Sequence, residues 1–259
     1  MPTFRVLLEY DGSEFHGWQI QPEVRTVQGE IERALALILR GPLRTVAAGR
    51  TDRGVHARGQ VVSFVHDREI DSPRVAAGIE GICGSEIRVL RLEEAPAGFH
   101  ARHSAIWRRY AYRVLLRDSS LERARAFHPP MPVSLARLRE TARPLLGEHD
   151  MSGFANQGDD NARRVCRVER ADWEIAGGGL VFVVRADHFL YKMVRTLVAT
   201  LLREAAPGGG GAGAVAEILA SRDRRRAASP APACGLYLER VGYDPPWPPL
   251  GPDAIGAEA

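Results

Sequence analysis

Three consecutive glycines, Gly177-Gly178-Gly179, stand between two strand-like runs, Val165 to Ile175 and Leu180 to Ala186. A short glycine link of this kind reads as a hairpin, because glycine accepts the positive φ that tight hairpin turns demand. Strands joined that way pair antiparallel, which argues against a sheet built only of alternating parallel crossovers.

Other strand patterns share the chain with helices. Phe4, Val6, Leu8 and Tyr10 alternate onto one face before an Asp11-Gly12 turn. Thr26 stands at the cap position of a helix whose stripe is Val27, Ile31, Ala34, Leu35 and Ile38, closed by Gly41-Pro42. Short strands follow over 43–48 and 60–65, then a helix opened by Ser72-Pro73 with serine as cap, then a strand over 87–92. The order then broadly recurs. Trp107 to Leu116 is a strand with Tyr110, Tyr112, Val114 and Leu116 on one face, and Ser134 caps a helix. The hairpin comes next, then an apolar helix from Phe189 to Glu204 and a flexible run over 207–213. A short helix over 214–220 and a strand over 236–243 finish the fold.

The fold class is therefore α+β with a mainly antiparallel sheet. The recurrence divides the chain into 1–103 and 104–244, two related halves, with a proline-rich flexible tail over 245–259. At 259 residues the chain can bury a substantial core. No apolar run approaches the roughly 18 residues of a membrane span, and Met1-Pro2-Thr3-Phe4-Arg5 carries no signal peptide, so a cytoplasmic protein is expected. The scattered Cys83, Cys166 and Cys234 form neither a zinc pattern nor a disulfide framework. Net charge +3 permits a polyanionic partner without requiring one. Lys192 is the only lysine; that arginine bias accompanies many alanines and glycines and by itself identifies no partner.

The segment over 47–64 concentrates the polar chemistry, with Gly49-Arg50-Thr51-Asp52-Arg53-Gly54-Val55-His56-Ala57 between two strands. In an extended stretch, residues two apart share a side, which sets Arg50 beside Asp52. On spacing alone this reads as a surface ion pair in a polar turn. A phosphate-binding loop is a second alternative, although Gly49, Gly54 and Gly59 match neither the dinucleotide fingerprint nor the P-loop.

Gly49 to Ala57 followed by Gly59-Gln60-Val61 resembles the active-site signature of the TruA family of tRNA pseudouridine synthases. Further blocks resemble that family in the same order: Glu9-Tyr10-Asp11-Gly12, Gly17-Trp18-Gln19 and Val27-Gln28; then Phe99-His100-Ala101-Arg102, Ser104 and Arg109-Tyr110-Ala111-Tyr112. Phe189-Leu190 with Met193-Val194-Arg195, and Ala231-Pro232-Ala233 with Gly235-Leu236-Tyr237-Leu238, complete the set. The chain departs from the family at Arg53 for alanine, Ser63 for histidine, Asp187 for asparagine and Ala199 for glycine. These leave specificity more open than activity, and Asp187 is expected to sit unfavourably near the RNA backbone.

The resemblance implies a pseudouridine synthase fold with a basic cleft between the halves, and isomerisation of uridine to pseudouridine. The base's N1 bond to the sugar breaks and the base rejoins through C5, so no cofactor and no metal is needed. Asp52 is then the nucleophile, attacking either sugar or base. Arg50 is expected to help displace the flipped base and to pair with Asp52, Tyr110 to stack on that base, and Arg195 to face the Asp52 loop. Phe99, His100, Ala101, Arg102 and His103, with Arg163 and Arg164, are expected RNA contacts. His56 reads as a loop-stabilising hydrogen-bonder, with a contact to RNA as the alternative. The implied partner is tRNA, at positions 38 to 40 of the anticodon stem-loop, with the enzyme a homodimer. Two rivals stand beside this reading, a non-catalytic tRNA-binding module and a phosphate-loop hydrolase.

Overall fold

The hairpin read from the three glycines is present in the computed structural model, which describes residues 1–158 and 162–247. Gly177 and Gly178 have φ of 58° and 74°, and Ala176 pairs with Gly179 across the turn. Positive φ at both loop positions matches the right-handed twist of the two strands.

The first half runs β1 (Thr3–Tyr10), α1 (Val27–Leu39), β2 (Thr45–Ala47), β3 (His56–Val65), α2 (Ser72–Cys83) and β4 (Ile87–Glu94). β1 lies between β3 and β4, antiparallel to both. Its alternating Phe4, Val6, Leu8 and Tyr10 are all buried, and Phe4 stacks on Phe64 at 5.4 Å. Thr26 caps α1 as expected, its side chain accepting from the Gly29 N–H, and Val27, Ile31, Ala34 and Leu35 are buried. α1 ends on Arg40 in the left-handed region rather than on Gly41. The cap of α2 is Asp71, whose carboxylate accepts from Arg74 N, and not Ser72. An anionic cap on N3 suits the positive end of the helix dipole, and Ser72 becomes the first helical residue.

The second half runs β5 (Trp107–Leu115), α3 (Leu135–Ala142), β6 (Gly147–Asp150), β7 (Val165–Ala176), β8 (Gly179–Ala186), α4 (Met193–Ala205), α5 (Gly211–Ser221) and β9 (Leu236–Gly242). β5 stops at Leu115, so Leu116 is 54% exposed while Tyr110, Tyr112 and Val114 are buried. Sequence patterning missed β6, and α5 begins within the glycine run expected to be flexible. α4 starts at Met193, not Phe189, because Lys192 sits in the left-handed region at φ 56°.

The nine strands form one sheet in the order β4-β1-β3-β9-β5-β8-β7-β6, with β2 paired to β3 off that path. β9 runs parallel to β3 and antiparallel to β5. The last strand of the chain thus lies in the middle of the sheet and joins both halves. The fold is α+β, with one core formed from both halves. No helix among the described residues is long and apolar enough to cross a membrane. Trp247, at the start of the expected tail, is buried and donates through Nε1 to Glu93 Oε1 at 2.6 Å. The rest of that tail, 248–259, lies outside the described residues.

Candidate active site

Asp52 sits on the loop between β2 and β3, and this loop is tied down residue by residue. Ala48 N donates to Val61 O at 2.8 Å, and Gln60 Nε2 donates to Gly49 O at 2.7 Å. Thr51 is buried; its hydroxyl shares a 2.8 Å hydrogen bond with Tyr10, and its carbonyl accepts from Trp18 N at 2.9 Å. Gly17 holds φ +93°, and a Cβ there would lie 2.8 Å from Thr51 O. Only glycine fits that approach without displacing the loop. Gly17, Trp18 and Tyr10 are therefore the floor beneath the Asp52 loop.

His56 closes the loop's far end. Nδ1 accepts from Gly12 N at 3.1 Å, which leaves the proton on Nε2, 3.2 Å from the Cys234 carbonyl. Burial lowers its pKa, favouring the neutral ring even though Asp11 Oδ1 lies 3.1 Å from Nδ1. The ring stacks on Tyr237 at 4.7 Å, a structural role as expected.

Arg195 reaches Asp52 from the first turn of α4. Its Nη1 donates to Asp52 Oδ2 at 2.9 Å, and its Nε donates to Ala231 O at 2.7 Å. Ala231 N in turn donates to Arg195 O at 3.0 Å, so the Ala231-Pro232-Ala233 segment clamps the arginine at two points. Both side chains are partly covered, 16% exposed for Arg195 and 22% for Asp52. Among the described residues, Asp52 Oδ1 has no hydrogen-bond partner. The Arg50–Asp52 pair expected from spacing does not form; Arg50 is exposed and in no ion pair among the described residues. Arg195 prevails because its guanidinium is fixed on Ala231 before it meets the carboxylate, which lowers the entropy lost on pairing.

Tyr110 enters the same space from β5. It is 8% exposed, its ring meets Phe189 edge-on at 4.9 Å, and a Cβ on Gly49 would lie 3.4 Å from its hydroxyl. Burial pushes its pKa up to about 12, with the Asp52 charge adding and Arg108 opposing. The hydroxyl is thus neutral at ordinary pH, and it has no hydrogen-bond partner among the described residues.

The Phe99 to His103 turn has inward and outward members. Phe99 packs on Tyr243 at 5.1 Å, and His100 Nδ1 accepts from the Arg102 and His103 N–H groups. Arg102 and His103 are exposed. Ala101, counted among RNA contacts from sequence, is fully buried; its N–H goes to Ser63 Oγ and its carbonyl to Tyr243. It belongs to the core of the turn, and Ser63 is the group that anchors it. Asp187, expected to sit unfavourably near RNA, is neutralised by Arg163 at 2.6 Å and accepts from Arg167 N and His188 N. Arg163 is exposed and Arg164 half-buried. Sequence reading missed the roles of Thr51, Gln60 and Arg108, although Thr51 and Gln60 lie inside the motif. Among the described residues no group of three or more His, Cys, Asp or Glu side chains is arranged to hold a metal ion.

A half-covered carboxylate on a rigid loop, with an arginine on one oxygen and a buried tyrosine alongside, is an arrangement for nucleophilic or charge-stabilising chemistry. Comparison with known proteins identifies the family. The family described as tRNA pseudouridine synthase matches residues 7–104 and 141–244. The tRNA pseudouridine synthase A of Halalkalibacterium halodurans is 40% identical over 243 residues, 93% of this chain and 92% of the relative. Those of Listeria welshimeri and Chlorobaculum tepidum are each 38% identical, covering 94% and 93% of this chain and 100% and 98% of the relatives. With the family matched across most of its length, and with its separate blocks converging on one loop, the chain belongs to the tRNA pseudouridine synthase family.

Proposed function

We propose that this protein isomerises uridine to pseudouridine in tRNA, with Asp52 as the nucleophile. The observation that carries the reading is the Asp52 carboxylate itself, held through Oδ2 by Arg195 while Oδ1 has no partner among the described residues. In the reaction the bond between C1′ and N1 breaks and a bond between C1′ and C5 forms. C5 loses its proton and N1 gains one, so atoms and electrons balance with no oxidant, metal or external group. The carboxylate either stabilises positive charge at the sugar carbon or bonds covalently during this exchange.

Arg195 fixes the carboxylate's direction with a charge-assisted hydrogen bond. Tyr110 stacks on the flipped base and, being neutral, offers its hydroxyl as a hydrogen-bond donor. Exposed Arg50, next to the loop, helps displace the base from its stem. Arg102, His103, Arg163 and Arg164 contact the phosphate backbone, which positions the RNA without reading sequence. The target is the anticodon stem-loop at positions 38 to 40, bound by a cytoplasmic homodimer in a basic cleft between the halves 1–103 and 104–244.

Tritium release from tRNA carrying 5-tritiated uridine tests the reading. Wild type releases tritium and Asp52→Asn, which keeps the shape and removes the charge, does not. Release by Asp52→Asn at the wild-type rate sinks the nucleophile, and no release by wild type favours a non-catalytic tRNA-binding module.

A further inference from the structure

Arg108 follows the exposed Ile106 and half-buried Trp107 on β5, yet it is only 9% exposed. Two residues before Tyr110 on the same strand, it shares that residue's face. Its guanidinium meets only carbonyl oxygens. Nε and Nη2 donate to Ala48 O at 3.3 and 3.0 Å, Nη2 donates to Arg102 O at 2.7 Å, and Nη1 donates to Ala105 O at 3.2 Å and Asp187 O at 3.0 Å. No carboxylate pairs with it among the described residues. Burial lowers its pKa, as expected for a cation taken out of water without a counter-ion.

These carbonyls belong to three separate segments. Ala48 is the residue before Gly49-Arg50-Thr51-Asp52. Arg102 and Ala105 belong to the turn and its exit that carry Phe99 to His103. Asp187 directly follows β8, two residues before Phe189, whose ring meets Tyr110 edge-on. A buried unpaired cation is a costly way to hold three loops if packing alone were needed, because apolar residues of similar volume fill such a place at least as well. The planar fork is the only side chain with enough donors in fixed directions to serve all three at once.

Resting on the pseudouridine synthase reading, we propose that Arg108 is a positioning residue for the reaction, setting the Asp52 loop against Tyr110 and the RNA-facing turn. It touches no reacting atom and acts through the backbone of Ala48, Arg102 and Asp187. A misplaced nucleophile slows the chemical step more than it weakens binding, since the phosphate contacts sit on other side chains.

The test compares wild type, Asp52→Asn, Arg108→Met and Arg108→Lys. Each is assayed for single-turnover tritium release at saturating tRNA, for tRNA affinity by filter binding, and for Tm. Arg108→Lys keeps the charge and most of the length but loses the fork. The expected result is a folded Arg108→Lys protein whose tRNA affinity stays within about 3-fold and whose rate falls about 10-fold to about 100-fold. Arg108→Met is expected to be slower still. A folded Arg108→Lys protein with the wild-type rate overturns the proposal. So does a defect that disappears when tRNA is raised, which is a binding effect. Failure of Arg108→Lys to fold makes the residue a core group and also overturns it. If wild type itself is inactive, the functional reading fails and the role of Arg108 falls with it; an active wild type beside an unslowed Arg108→Lys overturns the Arg108 role alone.

Discussion

Replacing Arg195 by lysine probes the tie between Asp52 and α4. The wild-type guanidinium uses Nε on Ala231 O at 2.7 Å and Nη1 on Asp52 Oδ2 at 2.9 Å. An ammonium at the end of a lysine stem is a single point and cannot span both. It keeps either the Ala231 carbonyl or the carboxylate, and one hydrogen bond is lost in either case. A hydrogen bond to a charged group contributes about 1.5–3 kcal/mol. If that bond positions Asp52 for the chemical step, the single-turnover rate falls about 10-fold to about 150-fold, at about 1.4 kcal/mol per decade. Arg195→Ala removes the charge as well and leaves Asp52 partly covered without a cation, so it is expected to fall further, with tRNA affinity nearly unchanged. Single-turnover tritium release at saturating tRNA measures the rate, and filter binding measures affinity. A lysine variant within about 2-fold of wild type refutes the two-point clamp. Equal rates for the lysine and alanine variants show that the charge contributes nothing beyond the fork.

Three further perturbations read other parts of the structure. Tyr110→Phe keeps the ring against Phe189 and is expected to retain base stacking, whereas Tyr110→Ala loses about 1–3 kcal/mol of it; fluorescence binding to RNA carrying a flipped-base analogue separates them. Because the Tyr110 pKa is raised to about 12, its contribution to stability is full below 10.0 and is lost as pH rises toward 12; the Tm difference between wild type and Tyr110→Phe should change only across that alkaline window. Asp11 is held down to about 2: burial opposes its ionisation, but hydrogen bonds from Ser13 and Arg125 prevail. Its folded pKa lies below the unfolded value, so its contribution is present above 3.8 and lost as pH falls toward 2; the Tm advantage of wild type over Asp11→Asn should vanish there. Gly17→Ala puts a methyl group 2.8 Å from Thr51 O at φ +93° and is expected to cost about 1–3 kcal/mol, lowering Tm by several degrees and slowing catalysis.

Local chemistry was readable from sequence at several places where one short segment decides the outcome, though not at the α2 cap, which is Asp71 rather than Ser72. The Gly177-Gly178 turn, the Thr26 cap and the alternation of β1 each depend on neighbours within a few residues, and each is present. Failures arise where a distant segment overrides the pattern. Phe189 and Leu190 continue the apolar period of α4, but Phe189 turns to meet Tyr110 and Lys192 takes the left-handed conformation, so the helix waits until Met193. Arg108 and Arg109 look alike as consecutive arginines, yet four carbonyls from three segments draw only the first inside. β9 gives no sign in its own residues that it will lie between β3 and β5.

The pairing of Asp52 is the sharpest instance, because the partner visible in the sequence is two residues away and the partner in the fold is 143 away. An arginine at spacing two on a loop has no second anchor, so its pairing is screened and entropically weak. Arg195 has an anchor on Ala231, and Ala231 belongs to the segment that leads into the central strand β9. The same strand's approach supplies the Cys234 carbonyl that fixes His56 at the other end of the loop. The C-terminal block, remote from Asp52 in sequence, therefore holds both the arginine that pairs with Asp52 and the loop that presents Asp52. That double attachment accounts for why blocks spread over nearly the whole chain accompany the one short segment that carries Asp52.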